Sequence, residues 1–289
     1  MKPAPFDYVA PGTIDEACAA LAEACGGATL LAGGQTLMPL LNLRMSQPFI
    51  LIDLNKVSAL QGISRVDGGI RIGPMTRQCE AIDSELLQRE LPVLTEAVRH
   101  VGHHQTRNRG TVGGSIALGE PAAELPATAV ALDATIEIQS VRGQRQVPAR
   151  EFYLGPYMTV LEADELVTGI VFPPWPQQHI TWFQELTQRP GDFALVGLVG
   201  ALTLEAGKIA RAGIAWFGMG PTPIWARNAE QLLIGKTLDE VDVQTIADAA
   251  VLETAPFDDQ HTSAEYRRIV GKRLFARALQ DSIQRRQAA

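Results

Sequence analysis

The chain has 289 residues, 46% of them hydrophobic, and a formal net charge of -7 at pH 7. This length and apolar content suffice for one large domain or two smaller domains with their own cores. The acidic balance argues against nonspecific binding to nucleic acid, whose phosphate backbone attracts clustered Lys and Arg. The N-terminus lacks an apolar leader, and no apolar run approaches the ~18 residues of a membrane span, so we expect no membrane insertion and a cytoplasmic location.

The cysteine pattern predicts neither an iron–sulfur cluster nor a structural zinc site in this chain. Cys18, Cys25 and Cys79 are odd in number and include no CxxC pair, whereas such sites need several thiolate or imidazole ligands. We interpret all three as reduced packing residues.

The first segment predicts a small β-α-β-α-β unit. Thr13 and Glu16 have the spacing of a capping box, and apolar residues at helical spacing follow, which predicts a helix near 13–25. Short apolar runs at Thr29–Ala32 and Phe49–Leu54 are typical of strands. We expect this subdomain to span about 1–56.

A second α+β unit is predicted over about 57–175. Strand-like runs flank Gly68-Gly69, a helix is expected across 76–101, and another strand begins at Thr135. The Pro173-Pro174-Trp175-Pro176 segment lacks several backbone N–H groups and is the predicted linker. The first domain is therefore expected to cover 1–175.

The remaining residues, 176–289, predict a domain in which strands come first and helices follow. Leu195–Glu205 and Lys208–Phe217 alternate around Ala206-Gly207, as expected of a hairpin. About three helical segments are predicted within 226–287. The fold class predicted for the whole chain is α+β.

Two glycine-rich loops are the main chemical signal in the sequence. They are Ala32-Gly33-Gly34-Gln35-Thr36, which follows a predicted strand, and the segment from Arg109 to Ser115 with Gly110, Gly113 and Gly114. Glycines allow backbone N–H groups to converge on an anion and allow a ligand to approach the chain closely. The pair favours a pyrophosphate site, to which Thr36, Thr111 and Ser115 add hydroxyl groups.

These loops also carry a family resemblance. The stretches LLAGGQTLMPLLNLRM from Leu30 and HQTRNRGTVGGSIALGEPAAELP from His104 resemble the flavin subunits of the xanthine dehydrogenase and aerobic CO dehydrogenase families, the molybdenum hydroxylases. Further similar segments start at Asp164 (DELVTGIVFP), Arg189 (RPGDFALVG) and Ser263 (SAEYRRIVGKRLFARAL), so the resemblance is collinear along the chain.

The resemblance implies a two-subdomain FAD-binding domain of the vanillyl-alcohol-oxidase (PCMH) type. A C-terminal domain with a three-stranded antiparallel sheet and helices would follow. It further implies FAD in this chain, a molybdenum cofactor on a large partner subunit and [2Fe-2S] clusters on a small one, in a dimer of heterotrimers. The substrate would then react on the large partner, and this chain would contribute no catalytic residue.

The resemblance also implies which residues contact the FAD. Residues of the two loops would line the pyrophosphate and ribityl chain, two carboxylates would lie near the adenosine or pyrophosphate, and apolar residues would pack beside the isoalloxazine ring. The implied contacts are Ala32, Gly33, Gly34, Gln35, Thr36, Thr111, Gly113, Gly114, Ser115, Glu120, Glu124, Leu166, Val167 and Phe193.

Two other groups of residues have features of binding sites. His100, His103 and His104 have metal-like spacing but lack the glutamate of an HExxH motif, and we interpret them as helix-end residues. The basic residues from Arg267 to Arg286 favour a solvated amphipathic helix over a nucleic-acid surface, with Ile269, Val270, Leu274, Ala278 and Leu279 turned inward.

Two rival functions remain open at this point. A self-sufficient flavin oxidase or reductase of the same superfold would need an acid or base beside the flavin, and the sequence displays no such set. A nucleotide-binding module without redox chemistry would bind the nucleotide but show no reducible flavin absorbance.

Overall fold

The structure is a computed structural model that describes residues 2–176 and 179–288. Its first unit is a three-stranded parallel sheet with strand order β1-β3-β2. The elements are β1 (Asp7–Val9), α1 (Ile14–Glu23), β2 (Ala28–Leu31), α2 (Leu37–Asn42) and β3 (Ile50–Asp53). The predicted β-α-β-α-β unit is present.

Half of the predicted capping box forms at the start of α1. The Thr13 hydroxyl accepts a hydrogen bond from the Glu16 backbone N–H at 3.2 Å. The Glu16 carboxylate accepts from the N–H of Gly12 at 2.7 Å, one residue before the predicted partner. Helix α1 buries Ala17, Cys18 and Leu21 against the sheet.

The second unit surrounds a five-stranded sheet of order β4-β5-β10-β6-β7. Its first elements are β4 (Ile63–Val66), β5 (Gly69–Ile72), α3 (Gln78–Asp83), α4 (Glu85–Glu90), α5 (Pro92–His100), α6 (His104–Arg109), α7 (Val112–Leu118) and α8 (Glu124–Ala131). The others are β6 (Thr135–Ser140), β7 (Gly143–Pro148), α9 (Ala149–Phe152), β8 (Tyr153–Gly155), β9 (Met158–Thr159) and β10 (Leu166–Phe172). Short 3-10 helices at Leu54–Lys56 and Ser58–Leu60 precede it.

The single helix predicted across 76–101 is wrong, because the structure has α3, α4 and α5 there. Ser84 has extended backbone angles, and its side chain accepts a hydrogen bond from the N–H of Leu87. Pro92 then opens α5, since proline is tolerated in the first turn of a helix but not in its interior. The helical spacing of apolar residues therefore continues across two interruptions of the helix, at Ser84 and before Pro92.

The C-terminal residues form a four-stranded antiparallel sheet covered by helices. The elements are β11 (Ile180–Leu186), β12 (Val196–Glu205), β13 (Lys208–Phe217), β14 (Ile224–Trp225), α10 (Arg227–Leu233), α11 (Val243–Leu252) and α12 (Ala264–Ala288), with a 3-10 helix at Leu238–Glu240. The β12–β13 hairpin and the three helices agree with the sequence prediction. The implied three-stranded sheet is one strand short, because the two-residue strand β14 is too brief to show a period of two.

The C-terminal sheet packs on both of its faces. Val199, Ala201 and Phe217 belong to the core of the second unit. The alternating residues Leu198 and Trp216 instead pack against the C-terminal helices. We call the contact surface between the C-terminal sheet and helices α5 and α8 the seam.

Three sequence interpretations need correction at the surface. Cys25 is exposed and has a φ of 45°, because it follows the C-cap of α1, so it is not a packing residue. Ile269 is 47% exposed on α12, where the prediction turned it inward. Arg267 on the same helix is buried and donates to the Gly218 carbonyl at 2.8 Å. None of the described helices is long and apolar enough to cross a membrane.

Candidate flavin site

The two glycine-rich loops lie against each other. A Cβ atom added to Gly33 would lie 2.8 Å from the Gly110 Cα and closer still to the Arg109 carbonyl oxygen. A Cβ atom on Gly114 would lie 3.5 Å from the Ala32 side chain. Loops that are far apart in the sequence therefore meet at one place, and the missing side chain of Gly33 allows their backbones to approach.

The first loop presents a row of unused hydrogen-bond donors. Within the described chain, the backbone N–H groups from Gly33 to Leu37 have no acceptor. Gly34 has a φ of +72°, a left-handed conformation that favours glycine and turns the chain into α2. Consecutive N–H groups in such a turn form an anion-binding concavity, so we call residues 33–37 the donor loop.

The second loop uses its N–H groups internally. Val112 donates to the Thr76 carbonyl at 3.0 Å, and Gly113 donates to the Pro74 carbonyl at 2.9 Å. The N–H of Gly114 donates to the Thr111 hydroxyl at 3.0 Å, which caps α7. Residues 111–114 therefore form a wall beside the donor loop, and the N–H groups of residues 112–114 are all used within the protein.

Gly113 is required by packing between protein segments. A Cβ atom there would lie 2.5 Å from the Pro74 Cα, so α7 could not approach the 73–76 turn with any larger residue. Ser115, one turn into α7, is half-buried. Its hydroxyl is a polar group near the beginning of α7, beside the wall.

A polar network behind the loops was missed by the sequence reasoning. The Asn55 side-chain amide donates to the Ala32 carbonyl at 3.1 Å and accepts from the Arg77 guanidinium. Arg77 also donates to the Arg109 carbonyl. Arg77 and Asn55 therefore join the carbonyl groups of both loops. The sequence contains no motif that would have indicated this pairing.

Arg109 supplies positive charge next to the donor loop. Its side chain is exposed and has no hydrogen-bond or ion-pair partner among the described residues. Burial lowers the pKa of Arg77, and the neighbouring Arg109 charge lowers it further. Burial raises the pKa of Asp53. Hydrogen bonds from Tyr8 and Asn55, together with the Arg109 charge, outweigh burial, so the pKa is lowered overall. The Arg109 backbone lies against Gly33, so its side chain starts beside the donor loop.

Glu120 follows α7 and is held by the β8–β9 hairpin. Its carboxylate accepts from the Ala122 N–H at 3.1 Å and from the Tyr157 hydroxyl. The backbone N–H of Tyr157 donates to Gly119 at 3.0 Å, and Tyr157 has a left-handed φ of 57°. Burial, followed by the bond to Glu120, raises the pKa of Tyr157 to about 12. Glu120 is therefore already engaged within the protein.

Glu124 begins α8 and is only 4% exposed. Burial raises the pKa of its carboxyl group to about 8, and the negative charge of Glu185 contributes to this shift. Among the implied contact residues, Glu124 has the pKa furthest from its ordinary value. A carboxylic acid with this pKa is largely neutral at pH 7.

The implied apolar contacts differ in accessibility. Leu166 is 1% exposed and packs in the core of the first unit, and Val167 is 6% exposed in the core of the second. Phe193 is 61% exposed on the loop between β11 and β12. This loop approaches α6, since a Cβ atom on Gly191 would collide with the His103 ring. Phe193 alone of the three has a free face for a planar ligand.

The three histidines are dispersed. His100 contacts Glu185, His103 lies against Gly191, and His104 lies 3.3 Å from the Asn108 side chain. Among the described residues, no group of three His, Cys, Asp or Glu side chains is arranged to hold a metal ion.

Family comparison agrees with this geometry. Residues 4–175 match the family described as the FAD binding domain in molybdopterin dehydrogenase, and residues 181–282 match the CO dehydrogenase flavoprotein C-terminal domain. The chain belongs to this family of FAD-binding subunits. The flavin subunit thus carries its donor loop and its wall within the matched FAD-binding segment.

The similarity to known proteins covers almost the whole of the flavin subunit. The 6-hydroxypseudooxynicotine dehydrogenase complex subunit alpha of Paenarthrobacter nicotinovorans is 39% identical over 99% of this chain and 97% of its own. Carbon monoxide dehydrogenase from Hydrogenophaga pseudoflava has a chain of known structure with a TM-score of 0.95 and 36% identity, covering 99% of both chains. Quinoline 2-oxidoreductase from Pseudomonas putida 86 gives a TM-score of 0.91 at 34% identity, covering 98% of this chain and 99% of its own.

Proposed function

We propose that this subunit carries electrons from [2Fe-2S] clusters on a small partner subunit, through FAD, to an external acceptor. The observation that carries the proposal is the donor loop, whose free N–H groups from Gly33 to Leu37 lie beside Arg109. This combination suits the negative charge of a pyrophosphate, because the backbone supplies directed donors and the arginine supplies charge.

The remaining implied residues fit parts of the same ligand. The wall at 111–114 and the Ser115 hydroxyl would flank the pyrophosphate and ribityl chain, and the exposed ring of Phe193 would cover the isoalloxazine. Glu120 and Glu124 lie beyond the far end of α7, which is roughly 10 Å long at 1.5 Å per residue. Leu166 and Val167, with little exposed surface, would back this site.

Bound FAD accepts electrons singly or in pairs, and this range lets it link clusters to different acceptors. The chain's own contribution is to bind and orient the flavin and to set its electrostatic surroundings. Arg77 and Asn55 keep the two loops together, and Arg109 places positive charge near the phosphates.

The remaining subunits would supply the other redox centres. We assign the molybdenum cofactor to a large partner and the clusters to a small one, in a cytoplasmic dimer of heterotrimers. Similar proteins are named as subunits of enzymes for 6-hydroxypseudooxynicotine and carbon monoxide, which supports a substrate site outside this chain. Within the chain, we propose a PCMH-type domain at 1–175, with subdomains at about 1–56 and 57–175, and a C-terminal domain at 176–289.

The purified chain is expected to bind one FAD without a covalent bond, because the proposed contacts are hydrogen bonds and charge interactions. Denaturation with acid or heat, followed by chromatography and absorbance measurement, should recover the flavin as free FAD in the supernatant. Flavin that remains on the denatured chain, or a folded chain that cannot be reconstituted with FAD, would contradict the proposed site.

Replacing Arg109 with Gln should weaken FAD binding by about fivefold at low salt, since an exposed charge contact is worth up to about 1 kcal/mol. The difference should nearly disappear at 1 M salt, where the Debye length is about 3 Å. Titration of the apoprotein with FAD measures both effects. Arg268→Gln removes an exposed arginine from α12 and is the matched control. Equal affinities of the two variants at low salt would remove Arg109 from the site.

A further inference from the structure

Asp53 lies at the carboxyl end of β3, directly beside the start of the donor loop. In the parallel sheet it pairs with Leu31, the last residue of β2, and Ala32 and the donor loop follow. The carboxyl ends of neighbouring parallel strands meet at one edge of a sheet, where open α/β sheets bind their ligands. Asp53 is half-buried at this edge.

Both oxygen atoms of the Asp53 carboxylate accept hydrogen bonds. Oδ1 accepts from the Asn55 backbone N–H at 2.9 Å and from the Asn55 side-chain amide. Oδ2 accepts from the Tyr8 hydroxyl at 2.6 Å, and Tyr8 belongs to β1, the neighbour of β3 on the side away from β2. The carboxylate is therefore held from two sides and has a fixed orientation towards Asn55.

The side-chain amide of Asn55 has three partners, which together admit one orientation. Its nitrogen donates to Asp53 and to the Ala32 carbonyl at 3.1 Å, and its oxygen accepts from the Arg77 guanidinium. Carboxylate and carbonyl oxygens only accept, whereas a guanidinium only donates. A flipped amide would set its oxygen against two acceptors and its nitrogen against a donor. Asp53 therefore helps to determine which amide atom faces Arg77.

Arg77 extends this arrangement to the second glycine-rich loop. Its guanidinium donates both to the Asn55 amide oxygen and to the Arg109 carbonyl. The same carbonyl oxygen lies where a Cβ atom on Gly33 would collide, so it belongs to the contact between the two loops. A continuous set of hydrogen bonds thus runs from Asp53 through Asn55 and Arg77 to that contact.

We propose that Asp53 is a positioning residue of the flavin site, which orients the Asn55 amide so that the donor loop and Arg109 stay together where the FAD pyrophosphate binds. This inference rests on the proposed function, because it concerns the same site. Asp53 would act through Asn55 and not as a ligand of the phosphates, since a carboxylate repels a phosphate.

The sign of the expected effect separates positioning from charge. The Arg109 charge contributes to lowering the pKa of Asp53, so the two charges interact. If Asp53 acted through its charge alone, Asp53→Ala would leave Arg109 more attractive to FAD and would strengthen binding at low salt. If Asp53 orients Asn55, Asp53→Ala should weaken FAD binding by about tenfold, as expected for the loss of one hydrogen bond to a charged group. High salt should not restore the affinity, because the loss is geometric.

The test is a double-mutant cycle on the full-length apoprotein, titrated with FAD by quenching of flavin fluorescence at low and high salt. Asp53→Ala and Asn55→Ala should each weaken binding by about tenfold. The double variant should bind FAD no more weakly than Asn55→Ala does, because residues that act through one network are not additive. Thermal unfolding of each apoprotein verifies that the variants are folded.

Two further variants serve as controls. Asp53→Asn keeps the size of the side chain and one acceptor oxygen for Asn55, so it should fold and should lose less FAD affinity than Asp53→Ala. Asp67→Ala removes an exposed carboxylate from the turn between β4 and β5, outside the site, and should bind FAD as the wild type does.

The outcomes separate this inference from the proposed function. A wild-type chain that binds no FAD would overturn the proposed function itself. Unchanged or stronger FAD binding in folded Asp53→Ala, or a double variant weakened by about the product of the two single effects, would overturn only the role of Asp53. Lower thermal stability with wild-type FAD affinity would mean that Asp53 has a structural role alone, and would overturn the inference as well.

Discussion

We expect Gly33→Ala to weaken FAD binding on the order of 100-fold, which corresponds to almost 3 kcal/mol. The added Cβ would lie 2.8 Å from the Gly110 Cα and closer to the Arg109 carbonyl, so the loops would have to separate. Separation would displace the donor loop from the wall and Arg109 from the phosphates. The same strain should lower the free energy of unfolding by about 1–3 kcal/mol, as overpacking does elsewhere.

FAD titration and thermal unfolding of the apoprotein measure these two effects separately. Gly12→Ala is the matched control, since a Cβ there would meet only the Glu16 carboxylate at 3.6 Å, an ordinary contact. We expect the control to bind FAD as the wild type does. Undiminished FAD affinity in a folded Gly33→Ala protein would show that the approach of the two loops is not required for the site.

The glycine loops could be found in the sequence because their chemistry is local. Glycines, a preceding strand and nearby hydroxyl groups are visible in the order of residues, and Gly33 and Gly34 indeed begin the donor loop. The sequence did not predict that the first loop has free backbone N–H groups whereas the second uses such groups within the protein. Gly113 looks like a phosphate-binding glycine, but its N–H donates to Pro74, which lies far from it in the sequence.

The supporting residues were invisible for the same physical reason. Arg77 and Asn55 act through single hydrogen bonds to carbonyl groups of distant loops, and such contacts leave no periodicity or spacing in the sequence. At the seam, His100 contacts Glu185, although the two residues lie on separate elements. Only burial and proximity distinguish these residues from the other charged side chains of an acidic protein.

At the level of the fold, long regular patterns were the most predictable. The β12–β13 hairpin and helix α1 follow directly from their alternation and capping box. Local breaks were not resolved, since Ser84 and Pro92 divide a continuous apolar pattern into three helices. The two-residue strand β14 depends on its pairing with β13, which no local signal specifies.

The organic donor that reduces the native assembly should leave the FAD of the isolated subunit oxidised. In the proposed assembly the molybdenum and iron–sulfur centres lie on partner subunits, so the donor has no route to the flavin of the isolated chain. A chemical reductant such as dithionite should still bleach the isolated flavin, and an acceptor should reoxidise it. The difference expected between the assembly and the isolated chain is all or none.

The most direct measurement is anaerobic absorbance spectroscopy of the flavin, first in the natively purified assembly and then in this subunit separated from it. We expect rapid bleaching by the donor in the assembly, and an unchanged oxidised flavin spectrum in the isolated subunit until dithionite is added. Rapid bleaching of the isolated subunit by the same donor would contradict the electron-transfer assignment and establish a self-sufficient flavin enzyme.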